Sequence, residues 1–250
     1  MKRIISISTG TVIIALFSIS FIANKPAKPL KILLVTGGCC HNYAFQTEVI
    51  KKAMPGSVKV EWTVSNEGGT GTTAQLALYD NKNWAKGYDL VIHNECFADT
   101  KDSTYIKKIT NAHKKGANAV LIHCAMHSYR AAAINDWREF LGVTTRRHDH
   151  QSQYPVKVVS PEHEVMRGFP AHWTSAKDEL YIIEKVWPSA TVLLTSVSER
   201  DGKTHPVAWT NRYGKARVFG TTFGHSDEMF KDTLFVKLLG QGMMWAMDKK

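Results

Sequence analysis

The stretch "LKILLVTGGCCHNYAFQTEVIKKAM", residues 30–54, changes its periodicity at the paired glycines Gly37 and Gly38. Before them, Leu30 to Thr36 is a nearly continuous apolar run, which suits a strand buried on both faces. After them, from Tyr43 to Met54, apolar residues recur at helical spacing. The stretch reads as β then α, joined by a Gly-rich turn that carries Cys39, Cys40 and His41.

The same alternation continues along the chain. "VKVEWTV" (58–64) reads as a strand, followed by the Gly/Thr loop "NEGGTGTT" (66–73), expected to be a mobile loop over a site, and a short helix from about Thr73. Next come "YDLVIHN" (88–94), "STYIKKITNAHKKG" (103–116), "NAVLIHCA" (118–125) and "INDWREFLG" (134–142), again strand, helix, strand, helix. A βαβα series needs crossover connections, hence a mostly parallel sheet with helices on both faces. Ligands in such sheets bind outside the carboxyl ends of the strands. The residues just past those ends are Gly37, Gly38, Cys39, Cys40 and His41 for the first strand, His93, Asn94, Glu95 and Cys96 for the third, and His123, Cys124 and His127 for the fourth.

The second half departs from strict alternation. "YPVKVVS" (154–160), "LYIIEK" (180–185) and "ATVLLTSVS" (190–198) read as strands, and "HPVAWTNRYGKARVFGTTFG" (205–224) reads as a hairpin turning at "NRYGKA". "SDEMFKDTLFVKLLGQGMMWAM" (226–247) has helical spacing throughout and is expected to close the chain as one helix. The organisation is one domain over residues 29–250 preceded by an N-terminal segment, residues 1–28. In that segment Met1-Lys2-Arg3 leads into 20 residues without a charge, then "NKPAKP". It reads as a signal peptide or a retained anchor, which places the domain in the periplasm or cell envelope and limits membrane contact to residues 1–28 if they are not cleaved.

The formal charge of +10 is partly local, because Lys2, Arg3, Lys25 and Lys28 lie in the N-terminal segment with no acid. The remaining lysines are scattered over helix faces. "TTRRHDH" (144–150) is the densest basic cluster, without aromatic interleaving, and nucleic acid is not an expected partner. Four cysteines, Cys39, Cys40, Cys96 and Cys124, are too few to staple a chain of 250 residues. Cys39 and Cys40, being adjacent, are poorly placed to pair with each other, and all four suit small apolar filler near strand ends.

"HCAMHSYR" (123–130) holds the densest chemistry. A nucleophile elbow needs small residues two positions either side of its tip. Cys124 is flanked by Ile122 and Met126, which argues against a cysteine nucleophile; His123, flanked by Leu121 and Ala125, fits the tip better. If the turn is helical, His123 and His127 share a face at a metal-chelating spacing. His41 opens the first helix, where free N–H groups favour an anion or carbonyl oxygen. Asp178 and Glu179 precede an apolar strand, and His225 follows another. Such a set can supply an acid, a base and an electrophile, or two to four ligands for a divalent metal. His113, His148, His150, His163 and His172 read as surface or loop residues.

Taken in order, "LLVTGG" with His41, "YDLVIHNE", "AVLIHCAMHS", Trp137 with "FLG", "HEVMRGFP", "DELY" and "HPVAWTNRYGKARVFGTTFGH" resemble the ThuA-like (trehalose utilisation) family over the whole domain. The resemblance implies a flavodoxin-like, class I glutamine amidotransferase-like three-layer α/β sandwich. It implies loss of the amidotransferase triad, and therefore no amidotransferase activity, together with a role in carbohydrate metabolism on sugars oxidised at C3. The positions matching the family's recurrent polar residues are His41, His123, His127, Glu179 and His225, expected to be catalytic. Gly38, Cys40, Asn94, Glu95 and Tyr129 are expected to contact a small carbohydrate substrate. Two further readings stand beside this one. One is a hydrolase with zinc or manganese on His41, His123, Glu179 and His225. The other is a non-catalytic carbohydrate-binding protein, with Tyr43, Trp62, Tyr129 and Trp173 available to stack on sugar faces.

Overall fold

The run Leu30–Gly38 forms strand β1 in the computed structural model, which describes residues 28–249. The N-terminal apolar segment lies outside the described residues, apart from Lys28. Ile32, Leu33, Leu34 and Val35 are fully buried, each contributing about 1.5–3 kcal/mol on leaving water. Their side chains alternate between two cores: Ile32 and Leu34 face one apolar layer, Leu33 and Val35 the other. Helix α1 (Tyr43–Lys52) starts at Asn42, whose side chain accepts from the Phe45 N–H. There follow β2 (Val60–Asn66), a 3-10 turn at Ala77–Asp80, β3 (Leu90–Cys96), α2 (Ser103–Lys114), β4 (Ala119–Ile122) and α3 (Asp136–Leu141). The alternation read from the sequence is present, with a single 3-10 turn where a short helix was expected after Thr73.

The second half supplies β5 (Val143–Ser152), β6 (Pro155–Val158), β7 (His172–Thr174), β8 (Asp178–Val186), β9 (Ala190–Val197), β10 (Thr204–Tyr213) and β11 (Ala216–Thr221), then α4 (Asp227–Lys231) and α5 (Thr233–Ala246). Nine strands form one sheet in the order β2-β1-β3-β4-β11-β10-β9-β6-β7. From β2 to β11 the pairings are parallel; beyond β11 only β10 and β6 run against the rest. Helices α1 and α5 pack over one face and α2 and α3 over the other, giving the three-layer α/β sandwich. β5 and β8 leave the sheet and pair as a separate antiparallel ribbon.

The single closing helix expected over 226–247 is two. Asp232 adopts an extended backbone and accepts from the Leu234 and Phe235 N–H groups, ending α4 and capping α5. Among the described residues no helix is long and apolar enough to cross a membrane.

Candidate functional site

The carboxyl ends of β1, β3, β4 and β11, with the β5–β8 ribbon as a side wall, enclose a cavity of about 290 Å³. His41 enters from the turn after β1, His123 directly after β4, and His225 from the loop after β11. Their ring centroids are 5.0 Å (His41–His123), 4.8 Å (His41–His225) and 5.3 Å (His123–His225) apart, and one nitrogen from each lies within 4.8 Å of the other two. Glu179 closes the group: its Oε2 is 3.7 Å from His123 Nε2 and its Oε1 is 3.4 Å from His225 Nδ1.

Backbone geometry aims these side chains. His123 sits at φ +46°, a left-handed conformation that costs a side-chain-bearing residue about 1–3 kcal/mol. Its Nδ1–H donates to the Thr222 carbonyl at 2.7 Å, which fixes the tautomer and leaves Nε2 with its lone pair toward the cavity, where the Tyr181 hydroxyl donates at 3.3 Å. Gly224, at φ +127°, lets the loop after β11 run against His123; a Cβ there would meet the His123 Cβ and the Ile122 side chain. The adjacent carboxylates at the start of β8 face opposite ways, as strand neighbours must. Glu179 points into the cavity, while Asp178 points under the loop and accepts from the N–H groups of Gly224, His225 and Ser226. Burial pushes the Asp178 carboxyl up to about 7, against the pull of those N–H donors.

Burial, reinforced by the charge on His225, lowers His41 to about 4, and burial with the charge on His41 holds His123 well below its ordinary value. Both are therefore neutral imidazoles at neutral pH. The contact with Glu179 raises His225. Burial alone would raise Glu179, but His225, His148 and His41 outweigh it and the carboxyl ends below its ordinary value. Both ring nitrogens of His41 lack a hydrogen-bond partner, and so does Nδ1 of His225, whose 3.4 Å approach to Glu179 is a charge contact off the hydrogen-bond line. Buried polar atoms left without partners are costly, so these unpartnered nitrogens mark a place for a ligand. Three imidazoles with a carboxylate beside them fit a borderline divalent ion such as zinc better than an oxygen-seeking one.

The ribbon adds residues that the sequence did not single out. His148, expected at the surface from "TTRRHDH" and with its side chain still 40% exposed, lines the cavity from β5, with Nδ1 3.4 Å from Glu179 Oε2. A register shift between His148 and Gln151 breaks the strand's period of two, and His150 turns outward to Glu199. Tyr181 is buried behind the cavity wall, its ring stacked on His127 at 4.0 Å with His148 5.7 Å away, so that the three rings form one packed aromatic cluster. Arg130 and Thr72 complete the lining. Thr72 holds the Gly/Thr loop in place, its carbonyl accepting from the Asp99 N–H while Gly69 accepts from Gly38.

Several expectations are corrected by this arrangement. The turn at His123–Met126 is 3-10, so His123 and His127 are not a chelating pair on a helix face, although both line the cavity. It leans on Tyr181, bonds Thr145, and is held by burial near a pKa of about 2. Tyr129 is a core residue packed on Trp137 and Tyr105, not a substrate contact. Asn94 is buried and donates to Gln46, and Glu95 is fully buried against His93. Gly38 acts through its backbone: at φ +95° it passes so close to the Cys96 carbonyl that a Cβ would collide. Trp173 packs in the core with its indole N–H on Asp232. His113 is buried, not exposed. Cys40 lines the cavity at φ +84° and is joined to Cys39 despite their adjacency; Cys96 is joined to Cys124.

Fold and site together define an α/β protein of the class I glutamine amidotransferase-like type with a histidine-lined pocket at the carboxyl edge of its sheet. The sequence pattern of the ThuA family, described as trehalose utilisation, matches residues 31–246, and the chain belongs to that family. It is similar to a ThuA-like protein from Parabacteroides merdae at 22% identity and TM-score 0.71, covering 89% of this chain and 91% of that one. A ThuA-like protein from Bacteroides uniformis is 18% identical with TM-score 0.69, covering 90% of this chain and 95% of the other. A GMP synthase protein from Thermoplasma acidophilum shares the fold at 12% identity and TM-score 0.55, covering 88% and 97%. No curated protein matches the chain.

Proposed function

We propose that the pocket is the active site of an enzyme of carbohydrate metabolism acting on a small glycoside with a carbonyl at C3. The observation that carries this reading is the convergence of His41, His123 and His225 on the Glu179 carboxylate, with ring nitrogens of His41 and His225 left without hydrogen-bond partners. The cavity volume, about 290 Å³, lies at the small end of ligand sites, roughly 300–1,000 Å³, and suits a sugar unit rather than a long chain. The C3 ketone acidifies the hydrogen on C2. Glu179 takes that proton, the C1–O bond breaks, and His148 delivers a proton to the departing oxygen, giving an unsaturated keto sugar and an alcohol. The Tyr181 hydroxyl holds the His123 ring in place and the Arg130 guanidinium, on the cavity lining, orients the sugar hydroxyls. A divalent ion on His41, His123 and His225 supplies, when bound, a positive charge for the carbonyl oxygen.

The apolar N-terminal run supports export of the domain, which cell fractionation tests. The reaction is tested by incubating the protein with glycosides and with their 3-keto derivatives, with and without added zinc or manganese, and identifying products by mass spectrometry. Turnover of the 3-keto compounds, lost in Glu179→Gln, is the expected result. Hydrolysis of unoxidised glycosides would replace elimination by metal-dependent hydrolysis at the same residues, and sugar binding without product would leave a carbohydrate-binding protein.

A further inference from the structure

All four cysteines of the chain reach one wall of the pocket, from three separate strand ends. Cys39 and Cys40 follow β1, Cys96 is the last residue of β3, and Cys124 lies in the turn after β4. The sulfurs of Cys39, Cys40 and Cys96 lie within 4.8 Å of one another, and those of Cys96 and Cys124 lie equally close to a ring nitrogen of His41. Cys96 belongs to both groups, with its sulfur 3.7 Å from that of Cys39. These residues are not filler in the large cores. They form a small cluster of their own with Tyr43, in which Cys39 is half-buried, and Cys40 beside them is exposed.

We propose that, with its disulfides reduced, this quartet binds one thiophilic d10 cation of the zinc or cuprous class, centred on Cys96, and that pairing of the cysteines closes the site. Thiolates select such ions over magnesium or calcium; Cys39, Cys40 and Cys96 present three sulfurs within 4.8 Å of one another, and Cys124 adjoins them through Cys96. Opening the site takes a dithiol reductant for each bond: one S–S becomes two thiols while the reductant's two thiols become a disulfide, two electrons and two protons moving together. Cation binding then releases the thiol protons to solvent. The exposure of Cys40 gives the reductant access to the Cys39–Cys40 bond, and the freed Cys39 thiolate, 3.7 Å from the Cys96 sulfur, passes the reduction on to the buried Cys96–Cys124 bond by thiol–disulfide exchange. This site needs no catalytic role for the imidazoles, and its failure would leave the carbohydrate reading untouched.

The test uses the full domain, reduced with dithiothreitol, freed of reductant without air, and titrated with Cd2+ as a spectroscopic probe. The expected result is four titratable thiols and a sulfur-to-cadmium charge-transfer band saturating at one ion per chain. Air-oxidised protein should show neither. Cys96→Ser should weaken binding at least about tenfold, and Cys39→Ser, at a half-buried position less prone to disturb folding, should do the same. His225→Ala should keep the band, separating this site from the imidazole group. Reduced parent protein without a band, thiols that appear only on unfolding, or an unchanged cadmium affinity in both serine variants would overturn the proposal.

Discussion

Two histidine groups flank the same sheet, and their surroundings are opposite. In the core, His113 Nδ1–H donates to the Ala117 carbonyl at 2.7 Å, its Nε2 meets His93 Nε2 at 3.0 Å, and His93 Nδ1 meets Glu95 Oε1 at 2.9 Å. Every ring nitrogen is used, the His113 ring stacks on Phe140 at 4.2 Å, and Trp84 and Trp137 close the sides. The chain of bonds requires one proton between Glu95 and His93, whichever carries it. At the carboxyl edge, by contrast, His41 and His225 keep nitrogens that nothing satisfies, and only His123 is anchored by the backbone. Burial therefore does not distinguish a working histidine from a structural one; unpartnered nitrogens converging on an open cavity do.

The contrast predicts different losses. The largest effect is on chemistry: Glu179→Gln should lower turnover of a 3-keto glycoside by about 10²–10⁴-fold, read by product formation, while its melting temperature stays near the parent's. Equal loss of folding would put Glu179 with the structural group. Next in size, His93→Ala strands the buried Glu95 carboxyl, and a cost of about 3–5 kcal/mol is expected in denaturant unfolding. His41→Ala, which breaks no hydrogen bond, should cost far less.

Acid bears on both groups, because burial lowers His41, His123 and His127 as well as His113. Burial, with the charge of His93, holds His113 well below 6.5, so the unfolded chain takes up a proton that the folded one refuses. The resulting stability is complete above about pH 6.5 and falls as pH drops below it, by up to about 1.4 kcal/mol per unit for this one group. Unfolding curves between pH 7 and 5 for the parent and for a folded His113→Gln protein test this, and equal pH slopes in the two would contradict a neutral, sealed His113. The smallest effect belongs to Tyr129, whose buried hydroxyl has no partner. Tyr129→Phe should change stability by less than about 1 kcal/mol and leave turnover unchanged; slowed turnover would restore it as a substrate contact.

Strand and helix order was legible because β1, β3 and β4 are buried on both faces and read as continuous apolar runs, the first of them ending in a glycine turn. Reading each strand's carboxyl end brought His41, His123 and His225 into view, since a parallel sheet collects those ends at one edge. His148, Arg130 and Tyr181 were not legible. They depend on β5 leaving the sheet to pair with β8, a long-range choice with no local signal in "TTRRHDHQS". Tyr129 and Glu95 misled for a related reason: proximity in sequence to a strand end does not say which face a side chain takes, and both turn inward. The break in the last helix was written in Asp232, a capping residue masked by the apolar periodicity on either side.

The central claim is that His41, His123 and His225 form a single ion site beside Glu179. Equilibrium dialysis against zinc, using protein whose cysteines remain paired so that thiolates cannot compete, tests it directly. One ion per chain is expected for the parent, with affinity reduced at least about 100-fold in a folded His41→Ala protein. No bound zinc, or the same affinity in the variant, would contradict the account.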